Sequence, residues 1–333
     1  MNKEISLAIV GATGAVGVEI LRVLERRNFP LSQLRLLASP RSAGKTLRFR
    51  NKDYPVEVLS ESSFAGIDVA IFSAGGGTSQ KFAPAAVAAG AIVVDNSSAF
   101  RMDENVPLVI PEINPEAAKS HKGIIANPNC TTAVSLMGLY PLHKTFGLQR
   151  VFAASYQAVS GSGAQAIEEL RQQVDAIVNQ REIKKEVYPH QIAFNVIPHV
   201  DNFLENGYTR EEMKLQFESR KIMDLPELRA SVTCVRVPVY RAHSVAITAE
   251  FEHPVNLDLA RKAITESPGV ELEDDPASVS YPMPIDRAGK DNCSVGRLRK
   301  DCAAENALTF WISGDQLLKG AALNAVQIAE LLL

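Results

Sequence analysis

The sequence predicts an α/β protein of two domains, a doubly wound parallel sheet and an α+β domain with a largely antiparallel sheet. The length of 333 residues exceeds the usual size of one hydrophobic core. Apolar strands alternate with amphipathic helices over the first 126 residues, and longer β-branched runs follow. We therefore place one domain at 1–127 with 315–333 and the other at 128–314.

Composition excludes several classes of protein. An apolar fraction of 46% with 22% charged residues is ordinary for a globular enzyme. The net charge of −3, without a basic block, argues against nucleic acid or an anionic membrane as partner. No apolar run approaches the ~20 residues of a membrane span, and the first residues lack the pattern of a signal peptide. The chain has four cysteines without CxxC spacing, which fits a reducing compartment, so we expect a cytoplasmic protein. Its sequence shows no metal-ligand cluster, so we expect no metal.

A glycine-rich turn follows the first predicted strand, residues 5–10. Its run, Gly11-Ala12-Thr13-Gly14-Ala15-Val16-Gly17, opens an amphipathic helix. Glycines at such a junction let the backbone approach a pyrophosphate, which lies on the helix N-terminus. The spacing is GxxGxxG, a variant of GxGxxG, and a turn that only packs a helix on a sheet is the alternative. We predict dinucleotide binding here.

The loop after the second predicted strand, residues 34–38, bears on the choice of cofactor. An NAD site usually offers Asp or Glu there to the ribose 2′-hydroxyl. This loop offers Arg41, Ser42 and Lys45 and no acid, which suits a 2′-phosphate. We predict NADP over NAD, with a solvated basic loop as the alternative.

Further α/β units lead to a polar strand end. Strands at 68–74 and 91–95 flank a helix at 79–89, and the run Asn96-Ser97-Ser98-Ala99-Phe100-Arg101 follows. Ligands bind such sheets beyond the carboxyl ends of the strands. Arg101 can hold an anion there by a bidentate contact, or form a surface ion pair.

Cys130 lies between a predicted strand, 123–126, and a predicted helix, 131–144. The unpaired N–H groups and positive dipole end of a helix N-terminus favour the thiolate, which is the nucleophilic form of cysteine. This position suits covalent catalysis. A small buried residue at a strand–helix junction is the alternative.

The pattern of the second half indicates three strands and a long helix. A strand at 151–159 turns through 160–163 into a helix at 164–179. Runs at 231–240 and 243–251, joined by Arg241-Ala242, predict a hairpin.

Two segments complete the second half. The region 274–300 is rich in proline, glycine and charged residues, which favours an extended arm. The last helix, 315–333, is apolar on most faces, and we expect it to be buried in the first domain beside the cofactor.

Four charged or titratable residues of this half are candidates for function. His243 opens a strand after a tight turn, where an imidazole of ordinary pKa ~6.5 can shuttle protons, although a structural histidine is the commoner case. Arg236 lies on an apolar strand, which indicates a buried anion such as a substrate carboxylate. Glu218 and Lys221 share a helix face, and a solvated pair is the default.

Eight ordered stretches resemble the aspartate-semialdehyde dehydrogenase family, and the likeness runs from residue 5 to the last helix. They are GATGAVG at 11–17, NSSAFR at 96–101, NPNCTT at 127–132, SYQAVSGSG at 155–163, ESRK at 218–221, VRVPV at 235–239, RAHS at 241–244 and GDQLLKGAALN at 314–324. The Arg41-Ser42 loop and the short connection before Glu218 resemble the shorter bacterial branch. The resemblance implies a Rossmann-like NADP-binding domain and a catalytic and dimerisation domain.

The resemblance also implies roles for the matched residues. Cys130 would be the acyl-thioester nucleophile and His243 the acid/base. The substrate's amino-acid end would meet Gln157, Glu218 and Arg236, and phosphate would meet Arg101, Asn129 and Lys221. NADP would contact Gly11, Ala12, Thr13, Gly14, Arg41, Ser42, Ser160, Gly161, Gln316 and Asn324.

The implied reaction is the reversible NADPH-dependent reductive dephosphorylation of L-aspartyl 4-phosphate to L-aspartate 4-semialdehyde. It belongs to the biosynthesis of lysine through diaminopimelate, and of threonine, methionine and isoleucine. The thiolate displaces phosphate, NADPH reduces the thioester, and the thiohemiacetal collapses to the aldehyde. The implied assembly is a homodimer or a dimer of dimers.

Other functions stay open at this stage. An N-acetylglutamyl-phosphate reductase carries its cysteine in a Gly-Cys-Tyr-Pro run, whereas Asn129 and Thr131 flank Cys130 here. A short-chain reductase would use Tyr140 and Lys144 and leaves the second half unexplained. A non-enzymatic dinucleotide sensor would lack the nucleophile or the base.

Overall fold

The computed structural model describes residues 4–333. The chain forms two compact units, one comprising the chain up to Asn129 together with Ala321–Leu333, the other Cys130–Gly320. The sequence predicts changes of domain at 127/128 and 314/315, which are two and six residues before these divisions. Over the described residues, no helix combines the length and the apolar character that a bilayer crossing requires.

Over the described residues, the first unit contains one seven-stranded sheet and three α-helices. Its strands are β1 (Ile5–Val10), β2 (Leu31–Ala38), β3 (Thr46–Phe49), β4 (Lys52–Val58), β5 (Val69–Phe72), β6 (Ile92–Asp95) and β7 (Ile124–Ala126), and its helices are α1 (Ala15–Arg26), α2 (Gly76–Ala88) and α8 (Leu323–Glu330). The strand order is β3-β4-β2-β1-β5-β6-β7, and every pair is parallel except β3 with β4. This sheet confirms the predicted Rossmann-like fold class.

Burial explains why this sheet is parallel. The strands β1 and β5 are almost wholly buried, as strands covered by helices on both faces are. The helix α1 is amphipathic, with Ile20, Val23 and Leu24 in the core. The C-terminal helix α8 packs against α1 and β6, so the end of the chain joins the first core.

The second unit contains a six-stranded sheet and five helices. Its strands are β8 (Leu148–Gln157), β9 (Arg229–Arg236), β10 (His243–Phe251), β11 (Val270–Leu272), β12 (Cys293–Lys300) and β13 (Ala307–Gly314), and its helices are α3 (Cys130–Phe146), α4 (Ala164–Val178), α5 (Arg210–Met223), α6 (Leu257–Thr265) and α7 (Pro284–Arg287). The order is β11-β12-β13-β10-β8-β9. The inner pairs are antiparallel and the two outer pairs are parallel, which confirms a largely antiparallel sheet.

The predicted hairpin at 231–251 is wrong. Strands β9 and β10 do not pair, because β8 lies between them, parallel to β9 and antiparallel to β10. The link between them crosses the end of β8: the N–H of Val237 donates to the carbonyl of Gln157 at 3.0 Å, and the N–H of Val159 donates to the carbonyl of Val239 at 2.9 Å. Alternating apolar residues identify two strands but do not say whether a third separates them.

Two other expectations need correction. The predicted arm at 274–300 contains β12, whose alternation is broken by a register shift between Gly296 and Arg299. The predicted last helix starts later than residue 315, because a π-helical turn at Leu318–Ala322 precedes α8. Asp315 instead accepts the N–H of Leu317 at 2.9 Å.

Candidate active site

Three predicted site residues lie at one edge of the second sheet. Gln157 ends β8 and Arg236 ends β9, and the two residues are partners in the parallel register. His243 begins the antiparallel strand β10, whose next residue, Ser244, pairs with Tyr156. The strand directions therefore bring an amide, a guanidinium and an imidazole together.

His243 is completely buried and held at one ring nitrogen. Its Nδ1 accepts the backbone N–H of Ala158 at 3.1 Å, while Nε2 is buried without a hydrogen-bond partner among the described residues. Because Nδ1 accepts, the neutral ring carries its proton on Nε2. Burial, and then the charge of Arg236, hold the pKa of His243 well below its usual value. The site thus contains a neutral imidazole with an unused Nε2–H.

Arg236 is only 5% exposed and lies beside His243. Its Nη1 donates to the carbonyl of Ala158 at 2.7 Å, and its Cζ is 5.9 Å from the ring centroid of Tyr188. Gly161 lies against both residues, since a Cβ there would come within 3.0 Å of Arg236 Nη1 and 3.3 Å of His243 Nε2. A side chain at residue 161 would therefore press on both residues.

A hydrogen bond ties the start of α3 to this sheet edge. Cys130 is the first residue of α3 and is partly exposed. The Nε2 of Gln157 donates to Thr131 Oγ1 at 2.8 Å and to Glu211 Oε1 at 3.3 Å. The helix itself packs on β8, β10, β12 and β13. The structure therefore joins the Cys130 turn to Gln157.

The helix α5 carries Glu218 and Lys221 and packs on β9 and α3. Glu218 is 2% exposed and Lys221 is half-buried. A solvated surface pair, the default for this spacing, is therefore wrong for Glu218. A buried carboxylate beside β9 is a candidate ligand for a cationic group.

Sequence reasoning missed two residues that hold the site. Ala158 uses both backbone groups, its N–H for His243 and its carbonyl for Arg236. Alanine has no polar side chain, so its role in holding His243 and Arg236 could not be recognised from the residue type. Glu211, which holds Gln157, was recognisable in principle, because the capping box of Thr209 and Glu212 places it in the first turn of α5.

In the first unit, the β1–α1 turn fits a phosphate group. Gly11 has φ +86°, and a Cβ there would lie 2.3 Å from the carbonyl oxygen of Ser73. Gly14 is the N-cap of α1, and no side chain caps the helix at that residue. Bare backbone and a helix N-terminus together favour an anion.

The loop with Arg41 and Ser42 adjoins this turn. Thr13 Oγ1 donates to Ser42 Oγ at 3.2 Å. Arg41 is exposed and has no salt-bridge partner among the described residues. A free guanidinium beside a phosphate-binding turn fits a 2′-phosphate.

Arg101 and Asn324 are buried at the carboxyl ends of β6 and β7. Arg101 donates from Nε to the carbonyl of Asn127 at 2.9 Å and from Nη2 to that of Asn96 at 2.8 Å, so it is not a surface ion pair. Asn324 donates to Val109 O at 2.9 Å, while its Oδ1 is a buried acceptor without a partner in the described chain. That oxygen fits a ligand N–H group.

Gln316 and Ser160, two other residues predicted to contact the cofactor, form a hydrogen bond with each other. The Nε2 of Gln316 donates to Ser160 Oγ, and its Oε1 accepts the N–H of Ala242 at 2.8 Å. Asn129 is buried and ends the first unit. Contacts of these residues with NADP or phosphate stay predictions.

Comparison with known proteins decides the family. The model for "Semialdehyde dehydrogenase, NAD binding domain" matches residues 6–121, and that for "Semialdehyde dehydrogenase, dimerisation domain" matches residues 139–319. The aspartate-semialdehyde dehydrogenase of Synechocystis sp. is 51% identical over 332 residues, covering 100% of this chain and 98% of the relative. That of Aquifex aeolicus is 52% identical over 330 residues, covering 98% and 97%.

The chain belongs to the aspartate-semialdehyde dehydrogenase family. The crystal structure of Vibrio cholerae aspartate semialdehyde dehydrogenase II complexed with ASA superposes with a TM-score of 0.97 at 42% identity, covering 99% of this chain and 98% of that one. The predicted resemblance is confirmed, and the chain is an oxidoreductase with an NAD(P)-binding domain.

Family membership removes the short-chain reductase alternative, and the structure agrees. Lys144 is exposed, with its Nζ 5.7 Å from the ring centroid of Tyr140. Tyr140 lies ten residues along α3 from Cys130, a rise of about 15 Å. In this chain the sheet edge at Gln157 and Arg236 is the better-built site.

Proposed function

We propose that the chain catalyses the reversible reductive dephosphorylation of L-aspartyl 4-phosphate to L-aspartate 4-semialdehyde through a thioester on Cys130. One observation carries the proposal. Gln157, Arg236 and His243 converge at one sheet edge, and Thr131 ties that edge to the Cys130 turn. A nucleophile, a carboxylate anchor and a proton donor are the parts that the reaction needs.

Cys130 performs the first half of the reaction. Its thiolate attacks the acyl carbon, a C–S bond forms, and the bond to the phosphate oxygen breaks. Backbone N–H groups at the start of α3 are the donors for the oxyanion of the tetrahedral species. Arg101, Asn129 and Lys221 hold the departing phosphate. A covalent intermediate divides one difficult step into two easier ones.

His243 handles the proton in the second half. NADPH, when bound, supplies a hydride to the thioester carbon. The Nε2–H of His243 acts as the general acid by hydrogen-bonding the oxygen that becomes anionic, so that the proton is shared between nitrogen and oxygen. The proton stays with the imidazole as the oxyanion re-forms the carbonyl and the C–S bond breaks, which releases the aldehyde and the Cys130 thiolate.

Three buried residues hold the amino-acid end of the substrate. The guanidinium of Arg236 binds the α-carboxylate by a bidentate contact. The carboxylate of Glu218 pairs with the α-ammonium group. Gln157 orients the chain between them, because its own amide is fixed by Thr131.

We assign NADP to the first unit. Arg41 and Ser42 bind the 2′-phosphate, which selects NADP over NAD, and the turn at 11–14 binds the pyrophosphate. Ser160, Gly161, Gln316 and Asn324 complete the cofactor contacts. The active form is a homodimer in the cytoplasm, where four free cysteines stay reduced.

Replacement of Cys130 tests the thioester. We expect Cys130→Ala to abolish phosphate-dependent reduction of NADP by aspartate semialdehyde, a loss of roughly 10⁴-fold or more. Mass spectrometry of wild-type protein with acyl phosphate, without NADPH, should show an adduct on Cys130. The matched control is Cys302→Ala, at an exposed cysteine, which should keep full activity. Activity that survives Cys130→Ala excludes the thioester mechanism.

A further inference from the structure

The turn before His243 has a strained backbone. Ala242 has φ +72°, in the left-handed region, and is completely buried. A residue with a Cβ rarely adopts this conformation and keeps it only when surrounding contacts over-determine it. The next residue is His243, so the torsions of this turn set where the imidazole stands.

Two consecutive side chains supply those contacts. Asp315 Oδ2 accepts the Nε–H of Arg241 at 2.6 Å and the backbone N–H of Gly289 at 2.6 Å. Gln316 Oε1 accepts the N–H of Ala242 at 2.8 Å. The Asp315 carboxylate is wholly buried, and its other oxygen accepts the N–H of Leu317. The carboxylate therefore binds the first residue of the turn and the amide binds the second.

We propose that Asp315 is a positioning residue for His243, acting through its ion pair with Arg241. The inference rests on the proposed acid/base role of His243 and deepens it. The Ala158 N–H orients the imidazole ring at Nδ1, but it leaves the position of the His243 backbone to the turn. The charge-assisted contact of the buried Asp315 carboxylate with Arg241 fixes that position before substrate binds. Proton transfer is sensitive to such placement, since an error of ~1 Å can cost ~100-fold in rate.

Asp315→Asn is the direct test, because asparagine keeps the volume but has one acceptor oxygen. Whichever way the amide turns, a nitrogen faces at least one of the N–H donors that the carboxylate now accepts. We expect kcat to fall roughly 10- to 100-fold. The matched control is Asp274→Asn, since the buried carboxylate of Asp274 forms an equally short ion pair with Arg261 at 2.6 Å. It should lose stability similarly and keep kcat.

A double-mutant cycle separates positioning from a merely structural role. In a His243→Asn background, Asp315→Asn should change the residual kcat by less than about twofold, because the residue it positions is gone. An undiminished loss in that background overturns the proposal, and so does an equal loss of kcat in Asp274→Asn or an unchanged kcat in Asp315→Asn.

A second variant covers a failure to fold. If Asp315→Asn does not give folded protein by circular dichroism, the same cycle is run with Arg241→Lys, which keeps the charge but loses the Nε–H donor. Loss of kcat that vanishes in the His243→Asn background supports the proposal, and any other result overturns it. Full activity of His243→Asn by itself refutes the acid/base role, whatever the Asp315 variants do.

Discussion

His243 acquires its chemistry from the residues around it. A strand-opening histidine was recognisable in the sequence, but its protonation state was not. That state follows from the Ala158 N–H on Nδ1, from complete burial and from the charge of Arg236. Arg236 was likewise recognisable as a charge on an apolar strand, and the structure shows it buried. Ala158 could not be found, because it acts only through its backbone.

The lowered pKa of His243 predicts a pH dependence of stability. Between that pKa and the ordinary ~6.5 of the unfolded chain, the unfolded state binds more protons, so the free energy of unfolding rises with pH. This contribution is fully present above about pH 6.5 and is lost as the pH falls below it. His243→Asn should lower the slope of the free energy of unfolding against pH by at most about 1.4 kcal/mol per pH unit.

Chemical denaturation at about pH 7, 6 and 5 measures the effect, as the difference in slope between wild type and variant. His190→Asn, at an exposed histidine, is the control and should follow the wild type. Equal slopes for all three proteins contradict a neutral, buried His243.

At the scale of elements, periodicity identified most strands and helices but not their neighbours. The runs that became β9 and β10 alternate as a hairpin would, yet long-range pairing inserts β8 between them. The link has to cross the end of β8 and passes through Pro238, which has no N–H for a ladder. This unpredicted crossing brings Arg236, Gln157 and His243 to one edge.

The loop between β2 and β3 carries the prediction on cofactor choice. Arg41→Ala should raise the KM for NADP roughly tenfold or more and leave the KM for NAD within about twofold, because NAD has no 2′-phosphate to lose a charge-assisted contact. Steady-state kinetics with both cofactors measure this ratio. The control is Arg48→Ala, at an exposed arginine of β3. Equal effects of Arg41→Ala on the two cofactors contradict the assignment.

At the scale of the molecule, each unit has its own sheet and core, and each fold class was predictable. In the first half, buried strands alternate with amphipathic helices, and helices that cover both faces of a sheet are typical of parallel strands. The second half carries long alternating, β-branched runs, as in β9, where Val232 and Cys234 are buried and Thr233 between them is exposed. The exact strand bounds near β12 were not predictable, because a register shift hides its period.

One face of the second sheet carries exposed apolar groups. The helix α3 packs on one face, whereas Phe152 and Tyr156 of β8 point away from the buried Val151 and Ser155. Phe152 is 47% exposed, and the Tyr156 ring lies 5.2 Å from that of Trp311. A cavity of about 300 Å³ lies beside Trp311, lined also by Tyr281, Pro282 and Met283. Such a face on a protein that matches a dimerisation domain indicates a contact between two copies.

We expect Phe152→Glu to dissociate the homodimer. Burial of each phenylalanine contributes roughly 1.5–3 kcal/mol, and two-fold symmetry counts the loss twice. Light scattering after size-exclusion chromatography at micromolar protein should show a dimer for the wild type and a monomer for the variant. Val178→Glu is the control, since Val178 is 71% exposed at the end of α4, and it should stay dimeric. A Phe152→Glu protein that remains a dimer places the interface on another surface, because a carboxylate cannot be buried against its own symmetry mate without separating the two chains.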